Sequence, residues 1–356
     1  MSEIIRKIAY SILGNVFKNQ SVAVPIKLNS KAKILIFRYD KIGDMVVSFP
    51  SFELLRAHFP EAEIWVLASE VNSFLLNNYQ VVDNVAVFPK NFFLKLKTLF
   101  SLRKQKFDVI INYVFYRTTK AGLIANFINP KAIKINIGHN VRDKIYSKLF
   151  NVLYPIALRG ELPMAEFLCH YICWIFGMQF KPEFLKQYNF NIPEESYARA
   201  RDFLKKIPHR KILLINISAR RKWEVQNYKR LISLVNKSIK DLSIIFIAHP
   251  TDYYILEMIL AGENENAFSF TTGSSFYDAI ALISFADIVF TPDTSIVHFA
   301  NAFGKPLVMM YYKKDSYMKE WQPSLSKFVC HYSECSNGYS DITPEVIFQS
   351  IKSLME

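Results

Sequence analysis

Two stretches place reactive side chains at close quarters. In Arg38-Tyr-Asp-Lys-Ile-Gly-Asp44, four ionisable groups, Arg38, Asp40, Lys41 and Asp44, crowd one short loop. At the end of a strand in an α/β sheet, such a cluster would sit where chemistry is usually done. The second stretch is Asp293-Thr-Ser-Ile-Val-His298. One of Asp293, Thr294 or Ser295 can cap a helix whose free N–H groups and positive dipole end bind an anion such as a pyrophosphate, and His298 falls one turn into that helix. Upstream lie Ser218 and Lys222-Trp223 in a loop rich in arginine, and Asp252 in His249-Pro-Thr-Asp252. Taken singly, each has a plain structural reading: a solvated turn, an N-cap, a satisfied core histidine. Two units of matching design, far apart in the chain, shift the balance toward function.

The elements that must position these residues are legible as apolar runs. Lys33 to Phe37 reads as a strand covered on both faces, with Ile34-Leu-Ile-Phe37 bounded by charge. Gly43 offers a tight turn or a close approach to a ligand, and Met45 to His58 is helical, with Pro50 either kinking that helix or opening its second half. In an open α/β sheet the loops at the carboxyl ends of strands face the ligand crevice, which puts Asp40, Lys41 and Asp44 there. Further strands are expected at Glu63 to Ala68, at Val81 to Phe88 as an edge, at Phe107 to Tyr113, and at Lys134 to Ile137, which would close the sheet. The loop after Tyr113 adds Tyr116, Arg117, Thr118 and Lys120 at the same sheet edge, and His139 is either a turn residue or a ligand contact. Lys181 to Pro193 lacks periodicity and marks a boundary. The pattern restarts with a helix at Tyr197 to Lys206, a strand at Lys211 to Ile217, a helix at Asn227 to Lys237 and a strand at Leu242 to Ala248. A helix at Phe276 to Phe285, a strand at Ile288 to Phe290 and a closing strand at Leu307 to Tyr311 follow. Two doubly wound α/β domains result, 1–185 and 190–356.

A chain of 356 residues exceeds the size at which one core keeps growing, and 51% hydrophobic residues with 30 Phe and 19 Tyr supply two. No apolar run reaches the roughly 18 residues of a membrane span. With no signal-peptide pattern at the start, a cytoplasmic location is expected. The net charge of +13 implies an anionic partner. The charge is spread along the chain without a zinc-finger or RNA-binding signature, which lowers the nucleic-acid reading. Cys169, Cys173, Cys330 and Cys335 lack zinc-knuckle spacing and read as buried free thiols. Residues 3 to 18 form an amphipathic helix that either docks onto the protein's own fold or lies on a membrane. Asn91 to Lys106 is basic and aromatic together, suited to anionic lipid headgroups or to a core helix with snorkelling lysines.

Arg38-x-Asp40-x-Ile42-Gly43-Asp44 with Pro50, Lys222-Trp223 after a strand, and Asp293-Thr294-Ser295-x-x-His298 with Gly304-Lys305-Pro306 together resemble glycosyltransferase family 9, the lipopolysaccharide heptosyltransferases. The resemblance implies the GT-B architecture, in which two Rossmann-like doubly wound domains face a central cleft, the first binding acceptor and the second a nucleotide-sugar. It implies inverting transfer of a sugar, typically heptose from ADP-heptose, to a lipopolysaccharide or related glycan acceptor at the cytoplasmic face of the inner membrane, with peripheral contact to that anionic surface. By position, Asp44 resembles the general base and Lys222 the phosphate-binding lysine. Ser218, Asp252, Asp293, Thr294, Ser295 and His298 would complete the donor site, and Tyr116, Arg117 and Lys120 would hold the acceptor; Asp40 and Lys41 would either hold it with them or orient Asp44, with a surface ion pair as the rival reading. No Asp-x-Asp motif occurs, so no metal is expected to bridge the diphosphate and no cofactor is called for. The chain departs from the family pattern at Ser295, where glycine is usual, at Glu224, where proline is common, and at Ala248-His249, which replaces glycines. A nucleotide-sugar epimerase on the same scaffold and a catalytically silent paralogue binding glycan or partners are the alternatives.

Overall fold

The computed structural model describes residues 10, 13–116, 118–140, 142–186, 188–208, 211–262, 266–271, 275–313 and 319–356. The chain divides into two compact units, Met1–Asn191 and Ile192–Glu356.

In the first unit the strands are β1 (Lys33–Arg38), β2 (Glu63–Ser69), β3 (Asn84–Phe88), β4 (Val109–Asn112), β5 (Ile133–Ile137) and β6 (Val152–Tyr154). The helices are α1 (Ile42–Val46), α2 (Phe49–His58), α3 (Phe92–Lys104), α4 (Thr118–Ile128), α5 (Asp143–Leu149) and α6 (Met164–Phe176). All neighbouring strands pair in parallel, in the order β3-β2-β1-β4-β5-β6. The second unit repeats the plan with β7 (Lys211–Asn216), β8 (Leu242–Ile247), β9 (Ala267–Ser269), β10 (Ile288–Pro292), β11 (Leu307–Tyr312) and β12 (Phe328–Ser333). Its helices are α7 (Glu194–Leu204), α8 (Val225–Ser238), α9 (Tyr253–Leu260), α10 (Phe276–Phe285), α11 (Ser295–Ala302) and α12 (Pro344–Met355). Its sheet order, β12-β11-β10-β7-β8-β9, is the first unit's order read from the other edge. Both sheets therefore reverse direction between their first and fourth strands, and the crevice at that switch point is where doubly wound folds bind ligands.

The central strands read as continuous apolar runs because helices cover both faces: every residue of β8 and β10 is buried, as are the last five of β1. Pro50 opens a new helix instead of kinking one, because it occupies the first turn of α2, where its missing N–H costs nothing. Gly43 is a buried residue inside α1 and makes no turn.

Several expected elements differ. β3 begins only at Asn84, since Tyr79 to Val82 forms a turn and the Asp83 carboxylate accepts from Arg56 and from the Ile64 N–H. β4 is shorter than Phe107 to Tyr113, because Asn112 turns its amide onto the Val114 backbone and ends the strand. β5 does not close the first sheet: β6 pairs outside it after α5 has packed. β11 does not close the second sheet either, because Phe328–Ser333 pairs along its whole length as β12. Cys169 and Cys173 are buried free thiols, but Cys330, on the edge strand β12, and Cys335, beyond its end, are only partly buried. Most of the amino-terminal helix expected at 3–18 lies outside the described residues. Of what is described, Tyr10, Leu13 and Phe17 pack on the Ile145, Tyr146, Leu149 and Phe150 cluster. Among the described residues no helix is long and apolar enough to cross a membrane.

Candidate functional site

At the switch point of the first unit, Arg38 ends β1 with its side chain only 1% exposed. A buried guanidinium must spend its donors on the protein, and this one does so through Nε and Nη1, while its Nη2 is buried without a partner. Nε donates to the Asp44 carbonyl at 2.7 Å and to Ser48 Oγ at 2.8 Å. Nη1 donates to Asp40 Oδ2 at 3.2 Å and to the Tyr113 carbonyl just past β4 at 2.5 Å, and lies 4.0 Å from Asp44 Oδ1. Arg38 thus ties β1, β4 and α1 together and holds two carboxylates around one cation. The Asp44 Oδ2 accepts from the Lys41 N–H at 3.2 Å, closing the first turn of α1. Asn72, fully buried, donates to the Arg38 carbonyl at 2.9 Å and fixes the other side of the loop.

The two carboxylates are not equivalent. Asp40 keeps 22% of its side-chain surface, yet its Oδ1 is buried without a hydrogen-bond partner. Burial pushes its carboxyl up to about 7, against the pull of Arg38 and with help from the negative charge of Asp44. The folded state then holds a proton up to that pH which an unfolded chain releases near pH 4, so stability falls as pH rises between about 4 and 7. Asp40→Asn is expected to remove this slope. The unfolding free energy of the first unit, read by hydrogen exchange of the β1 amides, should match wild type at pH 4 and exceed it at pH 8, by less than the ~4 kcal/mol that three pH units represent. An unchanged free energy at pH 8 would show that Asp40 ionises without cost.

Asp40 also lines a cleft of about 380 Å³ within the first unit, together with Tyr39, Phe88, Lys90, Lys95, Tyr116 and Lys120. The ammonium groups of Lys95 and Lys120 stand 5.1 and 5.5 Å from the Phe88 ring centre. Cations over an aromatic floor suit an anionic, ring-shaped ligand. Of the residues expected to hold an acceptor, this cleft gathers Asp40, Tyr116 and Lys120. Lys41 is exposed outside it, and Arg117 lies outside the described residues. Lys90 was not anticipated as a ligand residue, and Lys95, expected in a stretch suited to lipid headgroups or a core helix, was not expected in this cleft, since their order in the chain says nothing of their meeting Asp40. His139 lies in the turn after β5, where its N–H donates to Asp143 Oδ1 at 2.5 Å.

The second unit answers with the same logic around Asn216, buried at the end of β7. Its amide donates to the Ser218 carbonyl at 3.1 Å, to Thr291 Oγ1 at 3.0 Å and to Thr294 Oγ1 at 3.2 Å, while its Oδ1 accepts from the Ser218 N–H at 3.1 Å. Asn112, at the end of β4, makes the same turn onto Val114. Thr294 caps α11, accepting from the Ile296 N–H at 3.3 Å, and Ser295 opens the helix. Asp293 is exposed beside them, and its N–H donates to the Met310 carbonyl. His298 is 8% exposed and packs against Trp321, with ring centres 5.8 Å apart.

Lys222 Nζ meets Asp252 Oδ2 at 2.6 Å. Burial pulls the Asp252 carboxyl up, but hydrogen bonds from Lys222 and Ser218 and the nearby Lys222 and His249 charges outweigh it and hold the group below the usual carboxylate range. Ser218 Oγ in turn accepts from the His249 N–H at 2.7 Å. One chain of contacts therefore runs from Lys222 through Asp252, Ser218 and Asn216 to Thr294 at the start of α11. The Lys222 main chain is pinned from both sides. Trp223 is buried with its indole N–H on the Ile342 carbonyl at 2.9 Å, and Gly338 pairs with Lys222 so closely that a Cβ there would lie 2.8 Å from the Lys222 carbonyl. Arg221, which stacks 4.3 Å over the Tyr312 ring and donates to the Ser336 carbonyl, extends the cationic loop. Asn216 was missed at the level of sequence, because a polar strand end carries no distinguishing signal. Among the described residues no group of three or more His, Cys, Asp or Glu side chains is placed to hold a metal ion.

Comparison with known proteins agrees with this architecture. The chain is 21% identical over 302 residues to the lipopolysaccharide core heptosyltransferase OpsX of Haemophilus influenzae, covering 81% of each protein. A glycosyl transferase of family 9 from Veillonella parvula superposes with a TM-score of 0.76 at 15% identity, covering 93% of this chain and 98% of the other. The ADP-heptose lipopolysaccharide heptosyltransferase II of Escherichia coli gives 0.68 at 19% identity, covering 91% and 98%. These likenesses show the GT-B fold of two Rossmann-like units. The model of glycosyltransferase family 9 (heptosyltransferase) matches residues 97–340, and the chain belongs to that family of glycosyltransferases.

Proposed function

We propose that this glycosyltransferase transfers heptose from ADP-heptose, with inversion and without a metal ion, to a phosphorylated lipopolysaccharide core or related glycan. The observation that carries the reading is the contact chain from Lys222 to the capped start of α11, built at the switch point where such folds take nucleotides. Lys222 and the N–H groups of α11 supply fixed positive charge for a diphosphate leaving group. Asp44 takes the proton of the acceptor hydroxyl as its oxygen attacks the anomeric carbon and the bond to the diphosphate breaks. The transition state is oxocarbenium-like, and the negative charge departs with the nucleotide. Relatives named as heptosyltransferases, one of them for ADP-heptose, support the choice of donor. The lysines and aromatic floor of the first unit's cleft support an anionic glycan as acceptor.

Calorimetric titration with ADP, ADP-heptose, UDP and UDP-sugars, with and without Mg²⁺, tests the donor. Binding selective for the adenine series and indifferent to Mg²⁺ is the expected result; binding confined to a UDP-sugar would replace the donor. Lys222→Ala should weaken ADP-heptose about 10- to 100-fold, the worth of a charge-assisted phosphate contact. Unaltered affinity would leave Lys222 as a partner of Asp252 only.

A further inference from the structure

The edge of the first sheet and the helix beside it present an apolar surface that the fold does not use. β3 exposes Val85 and Val87, each 38% accessible. α3 buries only Leu99 and Leu102. Its first turn instead turns outward three consecutive large residues, Phe92 at 64%, Phe93 at 78% and Leu94 at 54%, with Phe100 at 53% further along. The Phe92 and Phe93 rings meet edge to face with centres 5.8 Å apart, forming a projecting two-ring knob. A fold gains nothing from aromatic rings left in water, and a contiguous exposed patch marks an interaction site.

Charge says which kind. From Asn84 to Phe107 the chain carries Lys90, Lys95, Lys97, Arg103, Lys104 and Lys106 and no Asp or Glu. Aromatic residues flanked by lysines on an amphipathic segment match the boundary between acyl chains and anionic headgroups. The knob also sits between two lysines, Lys90 and Lys95, that line the cleft shared with Asp40 and Lys120. We propose that the first turn of α3 is the membrane-contacting element of this protein, with Phe92, Phe93 and Leu94 entering an anionic leaflet and the neighbouring lysines on its phosphates. This rests on the glycolipid acceptor proposed above: the surface would set the cleft at the level where the headgroup sugars of such a lipid emerge.

The full-length protein should float with vesicles of phosphatidylcholine containing phosphatidylglycerol, but weakly with phosphatidylcholine alone, and should be released by salt. Phe92→Ser with Phe93→Ser should lower partitioning by about tenfold or more. Lys95→Gln with Lys97→Gln should lower it on the anionic vesicles only. Phe93→Trp should add a blue-shifted emission that brominated lipids quench, relative to wild type. An added emission that vesicles leave unshifted in Phe93→Trp, or a serine variant that floats like wild type, would overturn the proposal. So would light scattering that shows a dimer which Phe93→Ser converts to monomer, since the patch would then belong to a second copy. Titration of the same proteins with ADP-heptose keeps the two readings apart: donor binding without vesicle binding rejects the surface alone, and vesicle binding without donor binding rejects the donor alone.

Discussion

Asp44→Asn is expected to lower the transfer rate about 10³-fold while leaving the fold and donor affinity intact, the usual loss when a positioned general base is removed. The variant keeps the geometry, because an asparagine oxygen can still accept from the Lys41 N–H that Asp44 Oδ2 now receives at 3.2 Å. The Asp44 carbonyl held by Arg38 Nε at 2.7 Å is main chain and unaffected. The residues proposed to grip the donor all belong to the second unit, so ADP-heptose should titrate as for wild type. The rival is Asp40, in the same loop and also in contact with Arg38. A carboxyl raised to about 7 is well matched to proton transfer near neutral pH, which gives Asp40 a claim of its own. Single-turnover rates decide between them. If Asp40→Asn loses the chemistry and Asp44→Asn keeps near-normal turnover, the base is Asp40 and Asp44 serves the turn of α1. If Asp44→Asn loses it, Asp40 acts through its neighbour. Asp40→Asn should then keep most of the single-turnover rate, since an amide oxygen can still accept from Arg38 Nη1 as Asp40 Oδ2 does at 3.2 Å.

What could be read in advance follows from how local each signal is. β1, β8 and the helix Phe276–Phe285 were legible because an unbroken apolar run, or a run at helical spacing, is written in consecutive residues. The outer strands were not. β6 and β9 have three residues each, and β12 shows a half-exposed face with two cysteines nearby, so pairing with a neighbour makes them strands and nothing in their own pattern does. The loop from Arg38 to Asp44 stood out for the same local reason, but its architecture did not. A charged residue after an apolar run looks like the strand's exit into water, whereas Arg38 stays inside to serve acceptors as remote as the Tyr113 carbonyl. Lys222 and Asp252 lie thirty residues apart and meet because β7 and β8 pair in parallel, which brings the loops at their carboxyl ends side by side. Asn112 and Asn216 resemble any strand terminus until a neighbouring strand arrives to meet them, β5 with Asn136 in the first unit and β10 with Thr291 in the second.

The largest effect on stability is expected from Arg38. Arg38→Met should destabilise the first unit by about 3–5 kcal/mol, the cost of stripping one partner from a buried charge network. Two carboxylates would be left facing each other around an apolar side chain, the Tyr113 carbonyl and Ser48 Oγ would lose the Arg38 donor, and the Asp44 carbonyl would keep only Ser48 Oγ. Because the chain has two units, a single unfolding midpoint is ambiguous; hydrogen exchange of the β1 and β4 amides in urea reads the first unit by itself. Arg38→Met combined with Asp40→Asn should recover part of the loss, since one of the stranded charges is gone. Full additivity of the two changes would mean that Arg38 and Asp40 do not interact. Arg38→Lys discriminates charge from shape. A lysine restores the positive charge, but its one ammonium cannot reproduce a planar fork whose Nε serves Ser48 and the Asp44 carbonyl while Nη1 serves Asp40 and the Tyr113 carbonyl. If the fork is what joins β1, β4 and α1, Arg38→Lys will exchange nearly as fast as Arg38→Met and transfer slowly, with donor affinity unchanged. If Arg38→Lys behaves as wild type, the loop needs only a cation between its two carboxylates, and the geometry of the proposed base is set by the backbone of α1.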